Sequence, residues 1–128
     1  MPAPSAVGHG QVLRWVDAYE RAWRTPGTDA LAELFTEDAF YSQGPYVEPK
    51  IGLDAIARMW EETRDDDVFR MTSEVVAVDA DTAVVRAEVF YEKPAQEYRD
   101  LWVMRFAPDG RCRHYEEWPF APRRRAQG

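Results

Sequence analysis

FRMTSEVVAVDADTAVVRAEVFYEKPAQEYRDLWVMRFAPDGRCRHYEEWPF, residues 69–120, alternates apolar and polar side chains along most of its length. Alternation predicts strands, because successive side chains of an extended chain point to opposite faces. Asp79-Ala80-Asp81, Lys93-Pro94-Ala95-Gln96 and Pro108-Asp109-Gly110 break the pattern. Each break is hairpin-sized. Antiparallel neighbours are therefore expected over about Phe69–Val78, Thr82–Glu92, Glu97–Ala107 and Arg111–Phe120.

Upstream of this stretch the period is helical. Val12, Trp15, Val16, Tyr19, Ala22 and Trp23 form one apolar stripe, stopped by Pro26-Gly27. Thr28 is placed to N-cap a short second helix carrying Leu31, Leu34 and Phe35. Phe40 and Tyr41 begin a short extended segment that ends at Gly44-Pro45, and residues 46–52 read as a loop. A third helix carries Leu53, Ile56, Met59 and Trp60 and ends in Asp65-Asp66-Asp67. Helices that precede a run of strands must cover one face of the sheet, so the expected class is α+β with a curved antiparallel or mixed sheet. One domain is expected over residues 10–120, between a loose N-terminus (1–9) and a basic tail (121–128).

The net charge of −7 and a pI near 4.8 argue against nucleic acid and anionic membranes as partners. Arg123-Arg124-Arg125 reads as a solvated tail. The start of the chain lacks a signal-peptide pattern, and a single cysteine, Cys112, suits a reducing compartment, so a cytoplasmic location is expected. His9 and His114 are the two histidines and no HxxxH or CxxC spacing occurs, so neither a metal nor another cofactor is expected. Five tryptophans in 128 residues exceed what a small core needs. Trp15, Tyr19, Trp60, Phe69 and Trp102 are therefore candidate walls of a small-molecule pocket.

Candidate chemistry rests on carboxylates. Arg86 and Glu88 share one face of their strand, with Val85, Ala87, Val89 and Tyr91 on the other, and either face can be the inner one. Asp100 shares its face with Trp102, Met104 and Phe106, so it must be paired or carry a raised pKa. Regular alternation from Cys112 through His114 turns Glu116 inward, and only a bulge would turn Glu117 inward instead.

Three motifs carry a resemblance to a known family: Leu34-Phe35-Thr36-Glu37-Asp38-Ala39 before the first strand, Ile51-Gly52-Leu53-Asp54-Ala55-Ile56 at a helix entry, and Asp109-Gly110-Arg111 before a strand with Glu117-Trp118 near its end. In this order they resemble the SnoaL-like branch of the nuclear-transport-factor-2-like superfamily. The resemblance implies a cone-shaped half-barrel closed by helices, a small-molecule pocket and a homodimer through the sheet. Against the ketosteroid isomerases, Tyr19 falls on the catalytic tyrosine, but Gln43 falls on the base and Trp102 near the acid. An amide cannot abstract a proton at neutral pH, which disfavours that mechanism. Against limonene epoxide hydrolase, Tyr41 and Gln43 fall on the water holders, Arg86 on the bridging arginine, Glu88 on the acid and Glu117 on the base. A cyclase reading would draw instead on Asp100 or on His114 with Glu116. The expectation is a cofactor-independent acid–base enzyme on a small apolar molecule; the alternative is a non-catalytic ligand-binding or dimerising module.

Overall fold

Six strands form one sheet; two helices precede the first strand and a third lies between the second and the third. The structure is a computed structural model and describes residues 6–63, 68–92 and 95–122. The elements are α1 (His9–Arg24), α2 (Leu31–Leu34), β1 (Phe35–Ser42), β2 (Lys50–Ile51), α3 (Leu53–Thr63), β3 (Phe69–Asp79), β4 (Thr82–Glu92), β5 (Ala95–Phe106) and β6 (Cys112–Phe120). The strands pair in the order β2-β1-β6-β5-β4-β3, and all neighbours are antiparallel except β1 and β6, which run parallel. The sheet is mixed, and this is the α+β architecture the sequence predicts.

Three local expectations need correction. Thr28 does not cap α2 with its side chain; its carbonyl accepts the Leu31 N–H at 3.1 Å, and the helix has only four residues. Phe35 opens β1 rather than closing that helix, because its buried ring is needed in the sheet. Residues 50–51, inside the stretch read as a loop, pair with Tyr41 and Phe40 as a short edge strand.

At the N-terminus, the described residues before α1 are anchored. Val7 is buried, and its N–H donates to the Ala80 carbonyl at 2.9 Å. Asp65-Asp66-Asp67, Lys93-Pro94 and Arg123-Arg124-Arg125 lie outside the described residues. No described helix is long and apolar enough to cross a membrane.

The α1 stripe (Val12, Trp15, Val16, Tyr19, Ala22) is buried as its spacing predicts. Trp15 Nε1 donates to the Leu34 carbonyl at 2.9 Å, which ties α1 to the start of β1. Ile56 and Trp60 of α3 are fully buried, as are Val85, Met104 and Tyr115 from the sheet. Each large apolar side chain so buried contributes roughly 1.5–3 kcal/mol before chain entropy is counted.

Three register irregularities shape the sheet, one of them in β1 between Phe35 and Phe40 against β6, the other two single-residue bulges. Opposite β4, Val76 is an extra residue between Val75 and Ala77; opposite β5, Arg113 is extra between Cys112 and His114. An extra residue bends its strand and shifts all later side chains to the other face. The second bulge decides what the pocket contains.

Candidate active site

A pocket of about 340 Å³ opens between α1, α3 and the concave face of the sheet. A cavity of about 150 Å³ holds one benzene ring, so this one suits a molecule of about two rings. Its walls are aromatic and apolar: Tyr19 and Trp23 from α1, Met59 from α3, and Phe69, Met71, Val89, Tyr91, Tyr98 and Trp102 from the sheet. The polar groups Tyr41, Gln43, Asp100 and Glu117 converge on it, and Thr63 and Glu20, which is paired with Arg24 at 2.9 Å, also belong to the lining. Among the described lining residues there is no Lys, Arg or His.

Glu117 points inward because of Arg113. Cys112 is buried, Arg113 is exposed, and from His114 onward the parity has changed: Tyr115 is buried and His114 and Glu116 face the outer side. Glu117 stands directly opposite Trp102, and Asp100, two residues before Trp102 on the same face, stands opposite Pro119. The two carboxylates are therefore diagonal neighbours on adjacent strands.

Burial dominates their chemistry. Loss of solvent, together with the nearby Asp100 charge, pushes Glu117 up to about 8, and contact with the Tyr115 hydroxyl partly offsets this. Burial likewise pushes Asp100 up to about 6, moderated by the Trp102 indole. The Trp102 N–H is near enough for that influence, yet it makes no hydrogen bond of good geometry. Asp100 Oδ1 and Trp102 Nε1 are both buried without a protein partner.

Three phenols form a cluster beside Glu117. The hydroxyls of Tyr19 and Tyr41 lie 3.1 Å apart, and Tyr115 Oη donates to Tyr19 Oη at 3.4 Å. Burial raises the pKa of all three well above the ordinary phenol range, so they stay protonated and act as hydrogen-bonding groups.

Of the candidates from the sequence, Tyr19, Tyr41, Gln43, Phe69, Asp100, Trp102 and Glu117 line this pocket. Trp60 is fully buried behind it, edge-on to Tyr19 with ring centroids 5.5 Å apart. Trp15 is core, stacked on Tyr19 at 5.3 Å and bonded to Leu34.

Arg86 and Glu88 are not in the pocket, which corrects the bridging-arginine and acid roles that the resemblance implied for them. Val85, Ala87 and Val89 take the inner face of β4, and Arg86 pairs with Glu74 at 3.0 Å on the outer face, both side chains more than half exposed. The apolar half of β4 goes inward because Val85 and Ala87 join the core cluster that also holds the α1 stripe. His114 and Glu116 are corrected too. They lie on the outer face, joined by a 2.8 Å hydrogen bond, with His114 stacked on Phe40 at 4.4 Å and Glu116 accepting from Trp118 Nε1.

Tyr115, Met71 and Tyr98 were not singled out from the sequence, and Met59 was read only as part of the apolar face of α3. Alternation alone would have found Tyr98, which shares the face of Asp100. Tyr115 was hidden by the bulge. Cys112 is buried, its thiol pushed up to about 12 by burial and donating to the His114 carbonyl, so it serves as core.

Residues 12–115 match the model of the SnoaL-like domain, and the chain belongs to that family, within the nuclear-transport-factor-2-like superfamily. The chain is similar to a Sinorhizobium meliloti protein proposed to be a polyketide cyclase (28% identity over 81% of this chain and 93% of that one, TM-score 0.66). It shares its fold with SalBIII, an epoxide hydrolase/cyclase-like enzyme in pyran ring formation in the polyether salinomycin (15% identity, 87% and 92% covered, TM-score 0.72). It also shares the fold of a limonene-epoxide-hydrolase-like epoxide hydrolase from M. tuberculosis (15% identity, 87% and 84% covered, TM-score 0.69). No curated protein sequence matches the chain.

Proposed function

We propose that the protein is a cofactor-independent acid–base enzyme acting on a small, neutral, largely apolar molecule. The observation that carries this reading is the inward turn of Glu117 beside Asp100 in an aromatic pocket. Between pH about 6 and about 8, Glu117 holds its proton while Asp100 has lost its own. One group can then donate as the other accepts, which is the division of labour acid–base catalysis needs. Glu117 takes the role of acid here, not the role of base implied by the epoxide hydrolase comparison. Tyr41 and Gln43 share the wall and can hold a water or a substrate oxygen. The likeness to a proposed polyketide cyclase and the shared fold with epoxide-opening enzymes support a hydrolase-, isomerase- or cyclase-type reaction.

The test is turnover of a panel of small epoxides and enolisable ketones by the wild-type protein and by Glu117→Gln. The variant keeps size and fold but cannot donate a carboxylic proton, so kcat should fall by about 10²–10⁴-fold. Retained turnover would remove Glu117 from the mechanism.

One observation favours a second reading, a binding module without turnover. With Arg86 outside, no cation among the described lining residues bridges the acids. Such a module would bind ligands and be thermally stabilised by them, and none of the panel would react.

A single domain ending near residue 120, a homodimer and a cytoplasmic location belong to the same proposal, with the start of the domain drawn back from residue 10 to the buried Val7. Leu101 and Trp118 are cross-strand partners exposed on the outer face, and Phe120 lies beyond them, which supports a dimer contact there. The buried, unreactive thiol of Cys112 suits a reducing compartment.

A further inference from the structure

We propose that Arg24 is a positioning residue that holds the Phe69 ring across the end of the pocket farthest from Glu117, and so limits the length of the ligand admitted. The inference rests on reading the pocket as the ligand site and adds a size rule to it.

The strand register gives the pocket its long axis. Glu117 stands opposite Trp102, Trp102 opposite Val85, and Phe69 opposite Tyr91. Val85 and Tyr91 face the same side of β4 and are separated by an even number of residues. The Phe69–Tyr91 row therefore lies about 20 Å along the strands from the Glu117 row. Among the described lining residues, none lies farther along β3 or β4 in that direction. The acids stand toward one end of the cavity, and two rings with centroids 5.7 Å apart stand at the other.

Phe69 needs support from outside its own strand. It is the first residue of β3, which is an edge strand with β4 on one side only. The Glu92 N–H donates to the Val68 carbonyl at 3.3 Å, so that carbonyl turns toward β4 and the next one, on Phe69, turns to the open edge. Val68 is 64% exposed, yet Phe69 is only 8% exposed. The last residue of α1 meets it there. Arg24 Nη1 donates to the Phe69 carbonyl at 3.0 Å, and the guanidinium carbon lies 4.0 Å from the centroid of the Phe69 ring.

The same guanidinium is itself aimed. Its Nε donates at 2.9 Å to Oε2 of Glu20, one helical turn earlier and also in the pocket lining. A planar, forked cation can stack on a ring while its N–H groups bond a carboxylate and a carbonyl, which a lysine cannot reproduce. The Arg24 and Glu20 side chains are partly exposed, so their ion pair adds little to the stability of the fold. Its consequence lies in the pocket, where it fixes one end wall. Without the guanidinium, the ring at the end of an edge strand is free to swing outward and the cavity opens lengthwise.

The experiment compares the dissociation constants of 4-hydroxybiphenyl and 4-hydroxy-p-terphenyl, rods of equal width that differ by one ring. It uses the full chain, follows the fluorescence of the rods, and establishes folding of each variant by circular dichroism. In a cavity with an open end the extra ring would bury more apolar area and tighten binding. In the wild type the longer rod should instead bind at least about tenfold more weakly than the shorter one. Arg24→Ala should shift the ratio of the two constants at least about tenfold toward the longer rod, and Phe69→Ala should do the same by removing the ring. Both changes act through one ring. Adding Arg24→Ala to Phe69→Ala should therefore move the ratio no more than about twofold further. The Arg24→Ala comparison stands alone if Phe69→Ala does not fold.

A wild-type protein that binds the longer rod as tightly as the shorter, or binds neither, overturns the inference. So does an Arg24→Ala variant in which both rods weaken together at an unchanged ratio, the behaviour of a merely structural arginine. An Arg24 effect that persists undiminished without the Phe69 ring overturns it too. The ratio is measured without turnover, so it separates from the enzyme reading. Length discrimination that depends on Arg24 in a protein that turns nothing over upholds the inference and removes the enzyme. Turnover that depends on Glu117 in a protein whose rod ratio ignores Arg24 does the reverse.

Discussion

Glu117 and Asp100 meet on the concave face of the sheet as diagonal neighbours across β5 and β6, with Trp102 directly opposite the first and two residues from the second. Two such adjoining carboxyl groups, drawn out of water, cannot both ionise cheaply. Burial raises each, and the charge of Asp100 raises Glu117 further.

A first prediction concerns stability and pH. Folding raises Glu117 from about 4.5 to about 8, so between these values the folded state binds more protons than the unfolded state. Stability is then fully present below pH about 4.5 and is lost as pH rises through about 8. Asp100 acts in the same sense between about 3.8 and about 6. Glu117→Gln removes the larger part of this slope. It should match the wild type near pH 4.5 and exceed it at pH 8, by on the order of a few kcal/mol at most. Chemical denaturation at a series of pH values reads this directly, and parallel pH profiles would contradict it.

A second prediction separates the Arg113 side chain from the Arg113 position. The guanidinium pairs with Asp81 at 2.8 Å, but both side chains are more than a third exposed. Arg113→Ala should therefore cost no more than about 1 kcal/mol. Deleting the residue removes the bulge and returns Glu117 to the outer face. That variant should lose several-fold more stability than the alanine variant and should lose ligand binding. Equal effects of the two changes would mean that the bulge does not set the register.

The third concerns Tyr115. Its hydroxyl stabilises the charged form of Glu117 and bonds to Tyr19 within the phenol cluster. Tyr115→Phe should move Glu117 still higher than about 8 and cost about 1 kcal/mol of stability. A carboxyl titration followed by NMR, with thermal melts alongside, gives both numbers. An unchanged Glu117 would show that the phenol does not reach it.

The fourth uses the outer face. Arg86 and Glu74 form an exposed pair. Arg86→Ala should change stability by no more than about 1 kcal/mol and leave both ligand affinity and turnover intact. A large loss of activity would restore the arginine to a catalytic role.

The alternation in β4 and the stripe in α1 were legible because each obeys a single period over more than two turns or pairs. Asp100 was legible as an inward acid because Trp102, Met104 and Phe106 extend its face without interruption. Arg86 and Glu88 were misplaced by the residue-by-residue resemblance, since the inner face of β4 belongs to the buried Val85, Ala87 and Val89. The choice between Glu116 and Glu117 could not be read at all. It turns on one extra residue, and the hydrogen-bond register that marks Arg113 as that residue exists only once β5 and β6 pair. The same shift concealed Tyr115, and the unpartnered atoms of Asp100 and Trp102 emerge only from packing in three dimensions.

The central claim is that Glu117 is an inward, protonated carboxyl group at neutral pH. Carbon-detected NMR of side-chain carboxyls through a pH titration, in the wild type and in Glu117→Gln, tests it most directly. The account predicts one glutamate signal that titrates near pH 8 and is missing from the variant. Titration of every glutamate near the ordinary value of about 4.3 would contradict it.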